Sequence, residues 1–156
     1  MALLQSRKLK VDKKFQPMAN EEGDELYPNG IFEFNISKLL KFIESHPHQF
    51  QPEKTSIKAI RTCPSQNLDE STIKIANLTK PIILAEISPD KFNVIDGNHR
   101  LEKAYREGKA NIFVYKVRAE HHHVFLTSVT AYKTYVEYWN SKIKQQSKIV
   151  HYTSLH

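Results

Sequence analysis

Five consecutive residues, Asp96-Gly97-Asn98-His99-Arg100, concentrate the chain's most chemically capable side chains. The apolar Val94-Ile95 precedes them and a helical pattern follows, so the segment is expected to run strand, tight turn, helix. Gly97 admits the positive φ that such a turn needs. The first N–H groups of a helix lack intrahelical partners and sit at the positive end of its dipole, so an anion is the natural occupant there. Gly97 is also expected to let that anion approach the backbone closely. Arg100 adds a rigid fork of donors suited to phosphate oxygens. His99 adds donors, or a proton-transfer group near neutral pH. For Asp96 three uses stand open: holding a divalent metal, orienting His99, or orienting a substrate hydroxyl. The expectation is a phosphate grip by Gly97, Asn98, His99 and Arg100, with Asp96 and His99 the candidate catalytic residues. The plain alternative is that Asp96 and Asn98 cap the helix while His99 and Arg100 are surface residues. Residue chemistry alone leaves both open.

The elements that must position this loop follow from apolar periodicity. Residues 30–34 alternate apolar and polar and predict a first strand. Asn35 is a good N-cap, and Ile36, Leu39, Leu40 and Ile43 form one face of a helix ended at His46-Pro47. Residues 56–60 are read as a short strand and 68–76 as a short helix. The continuous apolar run 81–87 predicts a buried strand. A turn at Ser88-Pro89-Asp90 pairs it with a strand over 92–95 in a hairpin. A helix over 99–107 is expected to turn Leu101, Ala104 and Tyr105 inward. Glu102–Arg106 and Lys103–Glu107 would then be i,i+4 pairs on its outside. Gly108 stops that helix, and residues 112–117 form another strand. Val129, Tyr132, Val136, Trp139 and Ile143 mark a long final helix.

The stretch Pro81-Ile82-Ile83-Leu84, Val94 through Ala104, Gly108 and Ile112-Phe113-Val114-Tyr115 resembles the ParB/sulfiredoxin superfamily. The resemblance spans roughly residues 32–126 and is most specific over 81–117. It implies an α/β (α+β) fold, a small mixed sheet flanked by helices. It also implies nucleotide binding through the loop. ParB proteins use CTP, sulfiredoxin uses ATP, and a free-serine kinase of the group, with an Asp-Gly-His-His-Arg loop, uses ADP. Carried over, Gly97, His99 and Arg100 would contact phosphates, Asp96 would lie near a transferred phosphate, and Mg²⁺ would assist. Ser71 and Thr72 match a helix bearing polar nucleotide contacts, beside the simpler reading of a solvated helix surface. Asn98 stands where sulfiredoxin has its catalytic cysteine, which excludes sulfiredoxin chemistry at that position. The loop also departs from the usual Gly-Glu-Arg-Arg of ParB, and the chain shows no helix-turn-helix domain after it. Glu33 and Glu86 are the candidates for a catalytic glutamate.

The 156 residues suit one domain, with 40% hydrophobic and 26% charged residues, as in ordinary globular proteins. The expected divisions are an arm (1–27), the nucleotide-binding domain (28–126), a packed helix (127–146) and a tail (147–156). The single Cys63 cannot form an internal disulfide, and no apolar run is long enough to span a bilayer. With no signal-peptide core at the start, a cytoplasmic protein without a membrane partner is expected. The net charge of +6 attracts polyanions, so DNA without sequence specificity is a second candidate partner. His121-His122-His123 reads as a turn rather than a metal site, and no residues are assigned to one. Tyr132, Tyr135, Tyr138 and Trp139 are read as packing rather than base-stacking. The leading function is a nucleotide hydrolase or phosphotransferase. The alternatives are a ParB-like nucleic-acid-binding or nuclease module and a non-catalytic interaction domain.

Overall fold

The computed structural model describes residues 2–62 and 65–155; Cys63 lies outside them. It is a mixed α/β fold. Strands β1 (Leu26–Asn29) and β2 (Phe32–Asn35) form a small antiparallel ribbon. Strands β3 (Glu53–Ser56), β4 (Ile82–Ser88), β5 (Lys91–Asp96) and β6 (Asn111–Val117) form a mixed sheet in the order β3-β6-β4-β5. The β4–β5 hairpin is antiparallel, and β4 runs parallel to β6.

Every residue of β4 is buried, because both faces of the sheet are covered. On one face Ile83, Ala85 and Ile87 pack with helix α2 (Ile36–Glu44) and helix α7 (Val129–Ser154), which contribute Leu39, Ile43, Tyr135 and Trp139. On the other, Ile82 and Leu84 meet Ile57 of α3 (Ile57–Ile60) and Leu101 and Ala104 of α5 (Asn98–Arg106). A strand covered on both faces loses the apolar/polar alternation and reads as one run. Asn35 caps α2 as its residue type predicts, its side chain accepting the Lys38 N–H at 3.0 Å. Among the described residues no helix is long and apolar enough to cross a membrane.

The structure corrects several expectations. The strand expected at 56–60 lies earlier, over Glu53–Ser56, and Ile57 begins a helical turn anchored by its N–H on the Ala110 carbonyl. The inner arc of α5 is Leu101, Glu102 and Ala104, while Tyr105 is exposed. The reason is α3, which packs against one flank of α5. Arg61, at its end, bonds Glu102 at 2.7 Å and stacks on the Tyr105 ring at 3.7 Å. Glu102 still pairs with Arg106, but from a buried position, and Lys103 donates to the Ala76 carbonyl instead of meeting Glu107. Helix α7 continues to Ser154, through residues expected to form a tail.

The N-terminal segment lies across α7. Leu9 exchanges hydrogen bonds with Asn140, and the Trp139 indole donates to the Arg7 carbonyl at 2.8 Å. Arg7 reaches further in, to Glu86 of β4 and to Glu120 of α6 (Ala119–His122).

His122 is fully buried beside this network. Its Nε2 lies 2.6 Å from the Glu86 carbonyl, which assigns the N–H to Nε2, and its Nδ1 has no hydrogen-bond partner among the described residues. Burial holds its pKa down at about 4, against 6.5 for a free histidine. Protonation is therefore easier in the unfolded chain. The stability this group contributes is full above pH 6.5 and is lost as pH falls toward 4. Between pH 6.5 and 4.5 the loss should be roughly 2–3 kcal/mol. Urea titrations across that window should show it, and His122→Gln should flatten the slope. An unchanged slope would show that His122 is not buried neutral.

Candidate functional site

The loop after β5 sits at the edge of a cleft of two adjoining lobes. One, of about 300 Å³, is walled by residues that include Glu25, Thr72, Lys80, Asp96, His99 and Arg100. The other, of about 210 Å³, shares Glu25, Lys80, Asp96 and Arg100 and adds Leu40 and Tyr115. Strand β5 delivers Asp96, and Gly97 turns the chain into α5 at φ 102°. With glycine as N-cap there is no side-chain cap, so the first-turn amides of α5 keep their capacity to bind an anion.

The glycine has a second physical cause. A Cβ on Gly97 would lie 2.4 Å from Ile82 Cγ2. The space on that side is filled by β4, so close packing by itself requires glycine there, a cause the sequence did not show.

Arg100 is positioned by the protein itself. Its guanidinium donates to the carbonyls of Lys80 and Pro81, at 3.1 and 2.9 Å, and to Asp96 at 2.8 Å. These bonds use three of its five N–H donors and tie the start of β4 to the end of β5. His99 Nε2 accepts the Asp69 N–H at 3.3 Å, which joins the start of α5 to the start of α4 (Glu70–Ile75). Asp69 caps α4 and accepts from Ser71 Oγ, Thr72 Oγ1 and the Thr72 amide, which together lower its pKa to about 2. Thr72 lines the cleft and Ser71 does not; Asn98, expected among the phosphate contacts, is also absent from its wall.

Glu25 and Lys80 escaped the sequence reading. Glu25 precedes β1, which lies against β5, and this contact carries an acidic residue from the first part of the chain to the end of the Asp96 strand. Burial and then the charge of Asp96 raise the Glu25 pKa, while Arg100 and His99 pull it back. In the sequence Glu25 is one of an acidic run with Glu21, Glu22 and Asp24, and nothing local distinguishes it. Lys80 is likewise one lysine among many.

The two glutamates considered from sequence are engaged elsewhere. Glu33 accepts from Thr127 Oγ1 at 2.7 Å. Glu86 is held by Arg7 and by the Asp90 amide. Burial would raise the Glu86 carboxyl, but these hydrogen bonds outweigh it and keep its pKa below the ordinary glutamate value. The residues 121–123 are helical, His121 turning to Gln49 and His123 to the Ala119 carbonyl. Among the described residues no group of three or more His, Cys, Asp or Glu is arranged to hold a metal.

Comparison of the chain with protein-family models, with curated proteins and with solved structures returns no match.

Proposed function

We propose that this cleft binds the phosphates of a nucleotide and supports hydrolysis or phosphoryl transfer. The observation that carries the reading is the convergence, in one cleft, of the uncapped N-terminus of α5, Lys80, the pinned Arg100 and the Glu25–Asp96 acid pair. Phosphoryl transfer asks a protein mainly for positioning and charge neutralisation. In this reading the α5 amides and Lys80 meet the phosphate oxygens, and Arg100 holds Asp96 in place. Glu25, with its raised pKa, accepts the proton of the attacking hydroxyl or water. The loop's likeness to the ParB/sulfiredoxin superfamily supports the same reading, with ATP, ADP or CTP as the nucleotide.

The residues also fit Mg²⁺. Two carboxylates, Asp96 and Glu25, share the cleft wall, Asp96 already paired with Arg100 at 2.8 Å. Magnesium is commonly held by one or two carboxylates together with substrate phosphates. Asp96, together with the substrate phosphates, would hold it, leaving Glu25 as the base, and it would supply further neutralisation of phosphate charge.

A thermal-shift screen tests this. ATP, ADP, CTP, GTP and a short DNA duplex are compared with and without Mg²⁺. A ligand at about 100 times its Kd adds about 2.7 kcal/mol of stability. One nucleotide should raise the melting temperature of the wild type clearly more than that of Lys80→Ala. Lys80 suits the control better than Arg100, whose removal also unties β4 from β5. Stabilisation by DNA alone, equal in both proteins, would refute the proposal.

If turnover is found, Glu25 must be ionised to act. Its raised pKa means that the acidic limb of the rate profile lies above the ordinary glutamate value, with activity increasing as pH rises. Glu25→Gln should lower kcat by roughly 10²-fold or more with little change in KM. An unaltered kcat would remove Glu25 from the chemistry.

A further inference from the structure

The chain holds 23 Lys and Arg against 17 Asp and Glu. The whole of that excess of six belongs to one end of the molecule. Residues 2–11 and 138–155 contain Arg7, Lys8, Lys10, Lys142, Lys144 and Lys148, and no Asp or Glu. The remainder is charge-balanced. The fold brings these two segments together, since α1 (Ala2–Gln5) packs on α7 and Gln5 Nε2 bonds Ser147 Oγ at 2.8 Å. Arg7 is neutralised by Glu86 and Glu120. Lys8, Lys10, Lys144 and Lys148 are exposed.

Between α1 and α7 runs a groove of about 480 Å³, walled by Lys144, Lys148, His151, Tyr152 and Leu155 with Gln5. Lys144, Lys148, His151 and Leu155 follow one another at three- and four-residue steps, along one face of the helix. Leu155 in its wall is 68% exposed, and Leu3 of α1 and Ile149 of α7, the two elements that form it, are 84% and 63% exposed. Aliphatic exposure of that extent beside lysine marks an interaction surface.

We infer that this groove docks an acidic amphipathic segment of a partner protein, its apolar side chains entering between α1 and α7 and its carboxylates meeting Lys144 and Lys148. Three arguments select that occupant. The rim carries one sign of charge, so the complement is acidic. A second copy would bring lysines against lysines. Nucleic acid has no use for the apolar surface of Tyr152 and Leu155, and a flat lipid surface does not enter a recess.

The test is fluorescence anisotropy of the full chain with a labelled helical peptide of about 18 residues, leucines at i, i+3, i+4 and i+7 and glutamates elsewhere. Micromolar binding that weakens with salt is expected. The double substitution Lys144→Glu/Lys148→Glu should weaken it at least ~10-fold, with an unchanged circular dichroism spectrum. Leu155→Asp should also weaken it, which an electrostatic contact alone would not predict. No binding, or equal binding of an oligoglutamate of the same charge, would overturn the inference. So would a preference for a DNA duplex or phosphatidylglycerol vesicles, or a dimer through this face in sedimentation.

Discussion

Replacing Arg7 with alanine is expected to cost about 3–5 kcal/mol, the usual loss when one partner of a buried ion pair is removed. Glu86 is 1% exposed, and Arg7 is its cation, with a 3.0 Å bond from Nη1 beside a second contact from Nη2. The same guanidinium bonds Glu120 at 2.7 Å and lies 4.9 Å from the Trp139 ring. Its removal leaves a carboxylate inside the protein without a counter-charge, while the segment that crosses α7 keeps its bonds to Trp139, Asn140 and Tyr132. For a chain of this size the melting temperature should fall on the order of 10 °C. The double variant Arg7→Ala/Glu86→Gln should recover much of the loss, because glutamine removes the stranded charge and keeps an acceptor for the Asp90 amide. Thermal and urea unfolding of the three proteins measure this. A single variant that melts like the wild type would mean that the Arg7–Glu86 ion pair is not formed in solution.

Gly97→Ala is the second large effect, for two separable reasons. An L-residue at φ 102° carries about 1–2 kcal/mol of strain. A Cβ at 2.4 Å from Ile82 Cγ2 adds an overpacking cost of about 1–3 kcal/mol. The total is about 3 kcal/mol, with the start of α5 displaced from the cleft. Gly97→Asn divides the two causes. Asparagine tolerates positive φ better than alanine but carries the same Cβ, so it should be nearly as destabilising if the contact with Ile82 dominates. Asparagine restoring near wild-type stability would assign the cost to backbone strain alone.

These two residues show where the sequence was legible. The turn at Gly97 is local: a strand pattern, a glycine and a helical pattern adjoin, so the β5–α5 junction could be read directly. The same holds for Asn35 as a cap and for the unbroken apolar run of β4. The Ile82 contact that demands the glycine is not local and left no mark in the sequence. Arg7 and Glu25 lie far along the chain from Glu86 and Asp96, in segments whose polar composition looks like solvated surface. Strand β3, Glu-Lys-Thr-Ser, is an exposed edge with no apolar face to give it a period. Strand β1 is four residues long and contains Pro28, which argues against a strand when read alone. Its partner β2 supplies the pairing. Within the candidate site, Asp96, Gly97, His99 and Arg100 were legible as one motif. Their division of labour was not, because the partners of Arg100 are backbone carbonyls of Lys80 and Pro81.

The central claim is that the α5 end of the cleft holds phosphate. It is tested most directly by recording the backbone amide resonances of the isotope-labelled protein with ATP, ADP and CTP, each with Mg²⁺. One of these nucleotides should shift the amides of Asn98, His99 and Arg100 in a saturable way, with Glu25 and Thr72 moving alongside. Lys80→Ala should reduce the affinity without altering that pattern. If none of the three nucleotides moves those amides, or if the shifts map to the basic groove between α1 and α7, the phosphate-binding reading of the cleft is contradicted.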